Sequence, residues 1–338
     1  MLYKGIIKVC FSLGEGMMNT FRWAFIGSGN IAKTVGREIT KSGRHKIVSV
    51  YSPNKKHRES FAKRFGATSS NSIEEAVNRP DVDAVYIASV HTSHKEEGLE
   101  VLNLKKPVLI EKPMGISLSE VEDLVGASKK ANVYLVEAMW TWFSPVAINV
   151  KKWIQDGLIG DILSISGEFS IPKFFFTKNS RVVNPMTAGG ALLDIGIYPI
   201  TYTYNIFGTP KQIHCVGKLA KGIDIHDEII LQYPNYEAHI ACFSDTTIQD
   251  KYEIVGTKGK ITIPFAHSAS KAILKRGDLK MIYHGKTSYL QEFDLVREEI
   301  SSGLKESLYV PFSSTIECMK IMDKCRRDMK LVYPFEKR

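Results

Sequence analysis

Short apolar runs alternate with amphipathic segments from Phe21 onward. The run FRWAFIG precedes NIAKTVGREITKSG, whose apolar positions recur at helical spacing up to a glycine. The alternation continues through HKIVSVYS, KKHRESFAKRFG, DVDAVYIAS, HKEEGLEVLNLK, KPVLIEKP, SLSEVEDLVGASKKAN and VYLVEAMW. Strands that alternate with helices form right-handed βαβ units, with a parallel sheet covered on both faces. Residues 18–138 are therefore predicted to form a doubly wound α/β domain of the Rossmann type.

The pattern changes past Trp140. One helical stretch, PVAINVKKWIQDG, precedes β-type runs joined by short turns: DILSISGEFSI, KQIHCVGKLAK, DEIILQYP, YEAHIACFSD, DKYEIVGT, KGKITIPF and SYLQEFD. An amphipathic helix, SSTIECMKIMDKCRRDMK, follows them. Successive strands with few helices between them favour a mostly antiparallel sheet. Residues 139–338, the last helix included, are predicted to form a second, α+β domain.

Composition narrows the class of protein. A chain of 338 residues, 44% of them apolar, is long enough for two hydrophobic cores. The net charge of +9 comes from dispersed Lys and Arg residues, so no nucleic-acid partner is predicted. Five scattered cysteines without a C-x-x-C pair predict neither a disulfide framework nor a metal site, and they fit a reducing cytoplasm.

The first residues stand apart from this pattern. MLYKGIIKVCFSLGEG is too short to span a membrane and offers no small-residue cleavage site. The Gly14-Glu15-Gly16 triplet before Met17 and Met18 resembles a translated ribosome-binding site. Residues 1–17 are interpreted as a non-native leader, and the protein is predicted to be cytoplasmic with no membrane partner.

A glycine-rich turn joins the first predicted strand to the first predicted helix. Gly27-Ser28-Gly29-Asn30-Ile31-Ala32 has the G-x-G-x-x-A spacing in a strand–turn–helix context. Gly27 permits the tight turn, Gly29 lets the backbone approach a pyrophosphate, and Ala32 lets the helix lie close to the sheet. Free N–H groups and the positive helix end attract phosphates. The turn predicts a dinucleotide site, although a tight βα turn without a ligand has the same spacing.

The end of the second predicted strand bears on the choice of dinucleotide. An acidic residue normally binds the ribose hydroxyls of NAD there. This chain has YSPNKKH over residues 51–57, without Asp or Glu. Ser52, Lys55 and Lys56 suit a 2′-phosphate, so NADP is favoured over NAD. The alternative is that the lysines only form a solvated helix start.

Several motifs, in the same order and spacing, resemble the glucose-fructose oxidoreductase/inositol dehydrogenase (Gfo/Idh/MocA) family. They are Glu111-Lys112-Pro113, Glu137-Ala138-Met139-Trp140, GGALLDIGIYP over residues 189–199, Gly256-Thr257-Lys258-Gly259 and the stretch from Met319 to Phe335. The D-x-G-x-Y form of the third motif is similar to the branch of dimeric dihydrodiol and NADP-dependent D-xylose dehydrogenases. The resemblance implies a Rossmann domain, an open-sheet domain that often mediates dimerisation, and carbonyl/alcohol chemistry on sugars or diols.

The resemblance also implies three catalytic residues. Tyr198 is the implied acid/base that moves the hydroxyl proton. A phenol has a pKa of about 10, and Lys112 beside it is expected to lower that pKa because a positive charge favours phenolate. Asp194 lies four residues before Tyr198, which places both on one face of a helix. Asp194 is assigned to binding a substrate hydroxyl; alternatively, it is a charge that interacts with a helix N-terminus.

The remaining contacts are implied in the same way. The loop Ser89-Val90-His91-Thr92-Ser93-His94 resembles a family loop that borders the cofactor, with Val90 and His91 in place of the usual Pro and Asn. Trp140 and Arg181 are implied to contact the substrate, whereas Trp142 stands where relatives commonly carry arginine. The predicted cofactor-binding residues are Gly27, Ser28, Gly29, Asn30, Ile31, Ser52, Lys55, Lys56, Ser89, His91, His94, Glu111 and Lys112.

Together these residues favour an NADP-dependent dehydrogenase or reductase of a sugar or vicinal diol, expected as a homodimer or higher homo-oligomer. A non-catalytic dinucleotide sensor would share the fold, since a fold alone does not guarantee chemistry. A sensor would not require the proton donor Tyr198 together with Lys112 and Asp194. An oxidoreductase that retains its cofactor and exchanges substrates fits the same residues.

Overall fold

Six parallel strands form the first sheet of the computed structural model, which describes residues 20–171, 180–247 and 249–336. The predicted leader lies outside the described residues. The strands are β1 (Phe21–Ile26), β2 (His45–Tyr51), β3 (Thr68–Ser69), β4 (Ala84–Ile87), β5 (Val108–Glu111) and β6 (Leu135–Ala138). Their order, β3-β2-β1-β4-β5-β6, reverses direction between β1 and β4. Ligands bind at this kind of switch point in doubly wound folds.

Helices cover this sheet, as the alternating pattern predicts. They are α1 (Asn30–Thr40), α2 (Lys55–Phe65), α3 (Ile73–Val77), α4 (His94–Asn103) and α5 (Leu118–Ala131). In α1 the buried residues Ala32, Val35, Gly36 and Ile39 follow helical spacing. Every residue of β4, β5 and β6 is buried, as a sheet covered on both faces requires. The short elements β3 and α3 were not predicted.

The second sheet has eight strands. They are β7 (Ile162–Ser170), β8 (Gln212–Ala220), β9 (Ile223–Gln232), β10 (Glu237–Phe243), β11 (Lys251–Gly256), β12 (Gly259–Pro264), β13 (Lys271–Arg276) and β14 (Leu279–His284), in the order β14-β13-β12-β11-β7-β10-β9-β8. Neighbours pair antiparallel except β7 and β10. The predicted fold class is confirmed, while β13 and β14 were not predicted.

Four α-helices and a π-helical turn lie among the described residues after position 138. They are α6 (Pro145–Gln155), the π-helical turn (Leu192–Gly196), α7 (Ile197–Phe207), α8 (Tyr289–Ser301) and α9 (Phe312–Met329). The prediction of a strand over SYLQEFD is wrong, because Ser288 caps α8 by accepting a hydrogen bond from the Gln291 N–H. The helical spacing of the buried residues Phe293 and Val296 becomes visible only when the segment is extended to Ser301.

Helix α8 lies against the first sheet, although it follows the second in sequence. The ring of Phe293 packs on Trp23 of β1 at 4.6 Å and on Tyr86 of β4 at 5.2 Å between centroids. The predicted division of the chain at residue 138 stays a prediction. Within the described ranges, no helix has both the length and the apolar character needed to cross a membrane.

Replacing Phe293 with alanine is expected to destabilise the protein. The phenyl ring is fully buried between the two aromatic side chains, so its loss leaves a cavity and lowers the free energy of unfolding by about 3–5 kcal/mol. Urea titration measures the change, with Leu308→Ala as the control because Leu308 is 60% exposed. Equal unfolding midpoints for the two variants would contradict the packing described.

Candidate active site

A cleft of about 1000 Å³ lies at the carboxyl ends of the parallel strands and reaches the second sheet. It brings together ten of the predicted site residues: Ile31, Ser89, His91, His94, Glu111, Lys112, Trp140, Arg181, Asp194 and Tyr198. Gly27, Ser28, Gly29 and Asn30 lie at the same sheet edge, in the turn after β1. The cleft therefore joins the predicted dinucleotide turn to the predicted catalytic residues.

The turn after β1 has the geometry of a phosphate cradle. Gly27 has φ of 102°, and a Cβ there would lie 2.5 Å from the Ala88 carbonyl oxygen, so only glycine fits. A Cβ on Gly29 would meet nothing within 4 Å, which leaves its backbone open to a ligand. Helix α1 begins there with no side-chain cap and no acidic residue in its first turn. Its N–H groups and positive end fit the phosphates of a dinucleotide.

The residues predicted to hold a 2′-phosphate lie outside the lining of the cleft, at the start of α2. Ser52 is buried, and its carbonyl oxygen accepts a hydrogen bond from Arg58 Nη1 at 3.0 Å. Lys55 and Lys56 are exposed, and Lys55 Nζ lies 3.8 Å from Glu59 Oε1. The first turn of α2 contains no acidic residue.

Two buried histidines follow β4. His94 Nδ1 bonds the Pro113 carbonyl oxygen at 2.8 Å, and Arg181 Nη1 lies 3.0 Å from His91 Nε2. Burial lowers the pKa of His94 to about 4, and burial reinforced by Arg181 holds the pKa of His91 well below its usual value. Among the described residues, His91 Nδ1 and His94 Nε2 have no hydrogen-bond partner. Such unpartnered buried atoms beside the cleft fit polar groups of a bound cofactor.

The Asp194 carboxylate is the centre of charge in the cleft. Its Oδ1 accepts from Arg181 Nη2 at 2.8 Å and lies 3.3 Å from Lys112 Nζ, which also donates to the Asp194 carbonyl oxygen at 2.6 Å. Burial alone would raise the pKa of Asp194, but the charges of Lys112 and Arg181 outweigh it and hold the pKa well below its usual range. The carboxylate is therefore ionised and orients both cations.

A buried carboxyl group that sequence reasoning missed holds the segment carrying Asp194. Asp224 of β9 is fully buried, and its Oδ2 accepts from the Leu192 N–H at 2.5 Å, in the π-helical turn. Gly190 makes room for it: a Cβ there would lie 2.0 Å from Asp224 Oδ1. π-Helical turns of this kind are frequent at functional sites.

Tyr198 follows this turn, in the first turn of α7. Lys112 Nζ lies over its ring, 4.7 Å from the centroid, and Trp140 Nε1 donates to its hydroxyl group at 3.4 Å. Burial, and after it the Glu111 charge, raises the pKa of Tyr198 well above its usual value. The predicted lowering of this pKa is therefore wrong for this geometry, because burial, followed by the Glu111 charge, dominates. The neutral phenol is the form present at neutral pH.

Glu111, the residue before Lys112, ends β5 inside the protein. The Tyr86 hydroxyl group donates to Glu111 Oε1, and the Lys112 N–H donates to Glu111 Oε2 at 3.2 Å. Burial raises the pKa of Glu111, although these hydrogen bonds and the Lys112 charge oppose it. The peptide bond after Lys112 is cis. Glu111 thus anchors the strand end from which Lys112 reaches Asp194.

Aromatic side chains form one wall of the cleft. Trp140 stacks on Tyr289 with centroids 4.5 Å apart, and Phe169 meets Tyr198 edge-on at 5.7 Å. Trp142 does not line the cleft, because it is buried and stacks on Tyr204. The run Phe174-Phe175-Phe176 lies outside the described residues.

The cleft is also lined by residues that were not predicted from the sequence, among them Asp250, Phe265, His267 and Tyr289. Three of them lie at the open end of the hairpin formed by β11 and β12. The pairing of Lys251 with Pro264 places Asp250 opposite the chain that leaves β12. Both strands and the turn between them were predicted from the sequence. Pairing the two strands in register would have shown that Asp250 lies near the residues that follow β12. Tyr289 was missed because its helix was predicted as a strand.

Family models match both parts of the chain. Residues 21–138 match the Gfo/Idh/MocA model described as an oxidoreductase family with an NAD-binding Rossmann fold. Residues 148–262 match the Gfo/Idh/MocA C-terminal domain.

Relatives match over nearly the whole chain. The trans-1,2-dihydrobenzene-1,2-diol dehydrogenase of Mus musculus is 30% identical over 94% of this chain and 99% of its own length, and that of Danio rerio is 29% identical over 92% and 98%. A 3-ketoreductase from Actinomadura kijaniata, crystallised with NADP and TDP-benzene, has a TM-score of 0.84 at 20% identity, covering 92% of this chain and 98% of its own. An aldose-aldose oxidoreductase from Caulobacter crescentus has the same TM-score at 19% identity and the same coverage. These two structures share the fold.

Burial of His94 predicts a pH dependence of stability. Its pKa of about 4 in the folded protein is below the value of about 6.5 in an unfolded chain. The unfolded chain therefore takes up the proton first, and the free energy of unfolding falls as pH falls from about 6.5 to about 4, by up to about 1.4 kcal/mol per pH unit.

A His94→Gln variant, which keeps an N–H donor for the Pro113 carbonyl oxygen, is expected to flatten this slope. Urea titrations between pH 4 and 7 measure it. His239→Gln is the matched control, because His239 is exposed on β10. The same slope in both variants would show that His94 does not titrate as described.

Proposed function

The chain belongs to the Gfo/Idh/MocA family of oxidoreductases, and we propose that it exchanges a hydride between NADP and the carbonyl or alcohol carbon of a sugar or vicinal diol. The observation that carries this proposal is the convergence of Lys112, Asp194 and Tyr198 in one cleft beside the dinucleotide turn. Relatives named as diol dehydrogenases over almost the full length support the substrate class. A non-catalytic sensor is not favoured, because the family is one of oxidoreductases.

Bound NADPH would supply the hydride in the direction of reduction, and NADP would accept it in the direction of oxidation. The side chains of this protein bind and orient the substrate and move the proton. The neutral Tyr198 phenol donates its proton to the substrate oxygen in the direction of reduction. Lys112, held by Asp194, places a positive charge beside that oxygen and stabilises the negative charge that develops on it. Arg181 donates a hydrogen bond to the same Asp194 oxygen that Lys112 contacts.

The wall formed by Trp140, Tyr289 and Phe169 supports the proposed substrate class. Flat apolar surfaces pack against the carbon faces of a sugar or a cyclic diol, while the polar residues on the other side receive its hydroxyl groups. The stacking of Trp140 on Tyr289 also fixes the indole N–H that donates to Tyr198. Substrate and proton donor are thus oriented by the same side chain.

We also propose that the protein is cytoplasmic and works as a homodimer or higher oligomer. Burial alternates along β10 and β11, so one face of the second sheet is covered and the other carries partly exposed side chains. Leu163 of β7 is 55% exposed. An isologous contact between two such sheets would cover this face.

Tyr198→Phe is expected to lower kcat about 10²- to 10⁴-fold, because the ring remains and only the proton donor is removed. The affinity for NADPH should stay nearly unchanged. NADPH absorbance with a panel of aldoses, 1,2-dicarbonyl compounds and trans-diols measures turnover. Tyr283→Phe on β14 is the control, since Tyr283 is outside the cleft. Unchanged turnover in Tyr198→Phe would refute the proton-transfer role.

The preference for NADP is tested at the start of α2. The unmodified protein should bind NADPH more tightly than NADH, and replacing Lys55 and Lys56 with glutamate should weaken NADPH binding about tenfold or more through lost phosphate contacts. NADH binding should change little. A Lys63→Glu variant, in the last turn of the same helix, controls for altered charge. Equal affinities of the unmodified protein for NADPH and NADH would contradict the proposed role of Lys55 and Lys56 in selecting NADPH.

A further inference from the structure

A His–Asp pair lies in the cleft on the side of the second sheet. His267 occupies the 3₁₀ turn Ala266–Ser268 after β12, and Asp250 immediately precedes β11. His267 Nδ1 is hydrogen-bonded to Asp250 Oδ2. Both residues line the cleft, and neither has a part in the proton transfer described above.

The pair is built into rigid surroundings. The imidazole stacks on Phe169 with centroids 4.5 Å apart and an interplanar angle of 11°. It meets Tyr198 edge-on, with ring centroids 6.0 Å apart. Packing against two aromatic rings holds His267 in a single orientation next to the proposed proton donor. A side chain held in this way loses little conformational freedom when it binds a ligand.

The turn that carries His267 has two features of a functional site. Phe265 adopts φ 52° and ψ 56°, the left-handed region that disfavours residues other than glycine, and its side chain is 67% exposed at the cleft. Its N–H already donates to the Asp250 carbonyl oxygen at 2.7 Å. That backbone bond closes the hairpin end, so the side-chain pair is not needed to close it. Strained backbone of this kind clusters at ligand-binding sites.

The chemistry of the pair defines what it binds. A carboxylate that accepts from Nδ1–H fixes the tautomer of a neutral imidazole and leaves Nε2 as an acceptor. With Nδ1 engaged, Nε2 is the nitrogen free to bond a group in the cleft. An imidazole acceptor next to apolar rings suits a neutral hydroxyl group. The rings of Tyr198 and His267 lie 6.0 Å apart between centroids, a separation that a vicinal diol can bridge with one oxygen at each side chain.

We infer that His267, oriented by Asp250, binds the second hydroxyl group of the substrate, on the carbon next to the one that exchanges the hydride. The inference rests on the proposed function and deepens it. It assigns the preference for a vicinal hydroxyl group to one side chain that is separate from the Lys112, Asp194 and Tyr198 group. His267 is thus a specificity-determining residue, whereas Asp250 is a positioning residue.

The test compares two ketones that differ only in that hydroxyl group, 2-hydroxycyclohexanone and cyclohexanone, each with NADPH. The unmodified protein should favour the hydroxyketone in kcat/KM. His267→Phe keeps a flat ring against Phe169 and removes both nitrogens. It should lower the hydroxyketone/ketone ratio of kcat/KM about tenfold or more, as expected for a lost hydrogen bond. The change should appear mainly in KM for the hydroxyketone.

Two further variants complete the experiment. Asp250→Asn should lower the ratio in the same direction by a smaller factor, and it serves in place of His267→Phe if that variant does not fold. His284→Phe, at an exposed position of β14, should leave the ratio unchanged. NADPH affinity, measured by fluorescence, reports whether each variant keeps its dinucleotide site.

The outcomes separate the two proposals. A lowered ratio with unchanged reduction of cyclohexanone supports the role of His267. An unchanged ratio, or an equal loss with both ketones, overturns it while leaving the proposed function standing. If the unmodified protein reduces neither ketone and no member of the wider panel, the proposed function is wrong and this inference falls with it.

Discussion

One buried carboxylate determines how the cleft is arranged. Asp194 receives the Lys112 ammonium group from the end of a first-sheet strand and the Arg181 guanidinium group from a later turn. Buried charges are tolerated only when they are paired and hydrogen-bonded, so these three groups must stay together in the folded protein. The ion pair between Asp194 and Lys112 thereby links the end of a first-sheet strand to the segment that carries Asp194. Tyr198, four residues beyond Asp194, is placed as a consequence.

Much of the first sheet was predictable because its strands and helices can be recognised from the periodicity of apolar residues within short segments. Apolar runs that alternate with helical periodicity give a parallel sheet, and the carboxyl ends of parallel strands meet at one edge. Ser89 and Lys112 each follow such a strand and Glu111 ends one, which is why residues distant in sequence line one cleft. The position of Tyr198 came from resemblance to a family, since no local rule brings α7 to that edge.

The features that escaped prediction depend on contacts between distant segments. The seven residues SYLQEFD alternate well enough for a strand, and only the longer repeat to Ser301 together with its cap at Ser288 shows a helix. The charge on Lys112 suggested a more acidic Tyr198, but the depth of burial is a property of the whole fold and it outweighs the charge. His267 and Asp250 meet only because two strands pair in a particular register.

The packing of α8 on the first sheet has a consequence for how the chain acquires its structure. Trp23 and Tyr86 are synthesised early, yet the Phe293 ring that covers them is added after all eight strands of the second sheet. Domains usually fold as units, in order, as the chain emerges. Here the packing of the amino-terminal sheet is completed by a helix that begins at Tyr289, far downstream of the end of β4 at Ile87. Until then the aromatic side chains that Phe293 covers stay open to water, and exposed apolar surface of this kind promotes aggregation of a folding chain.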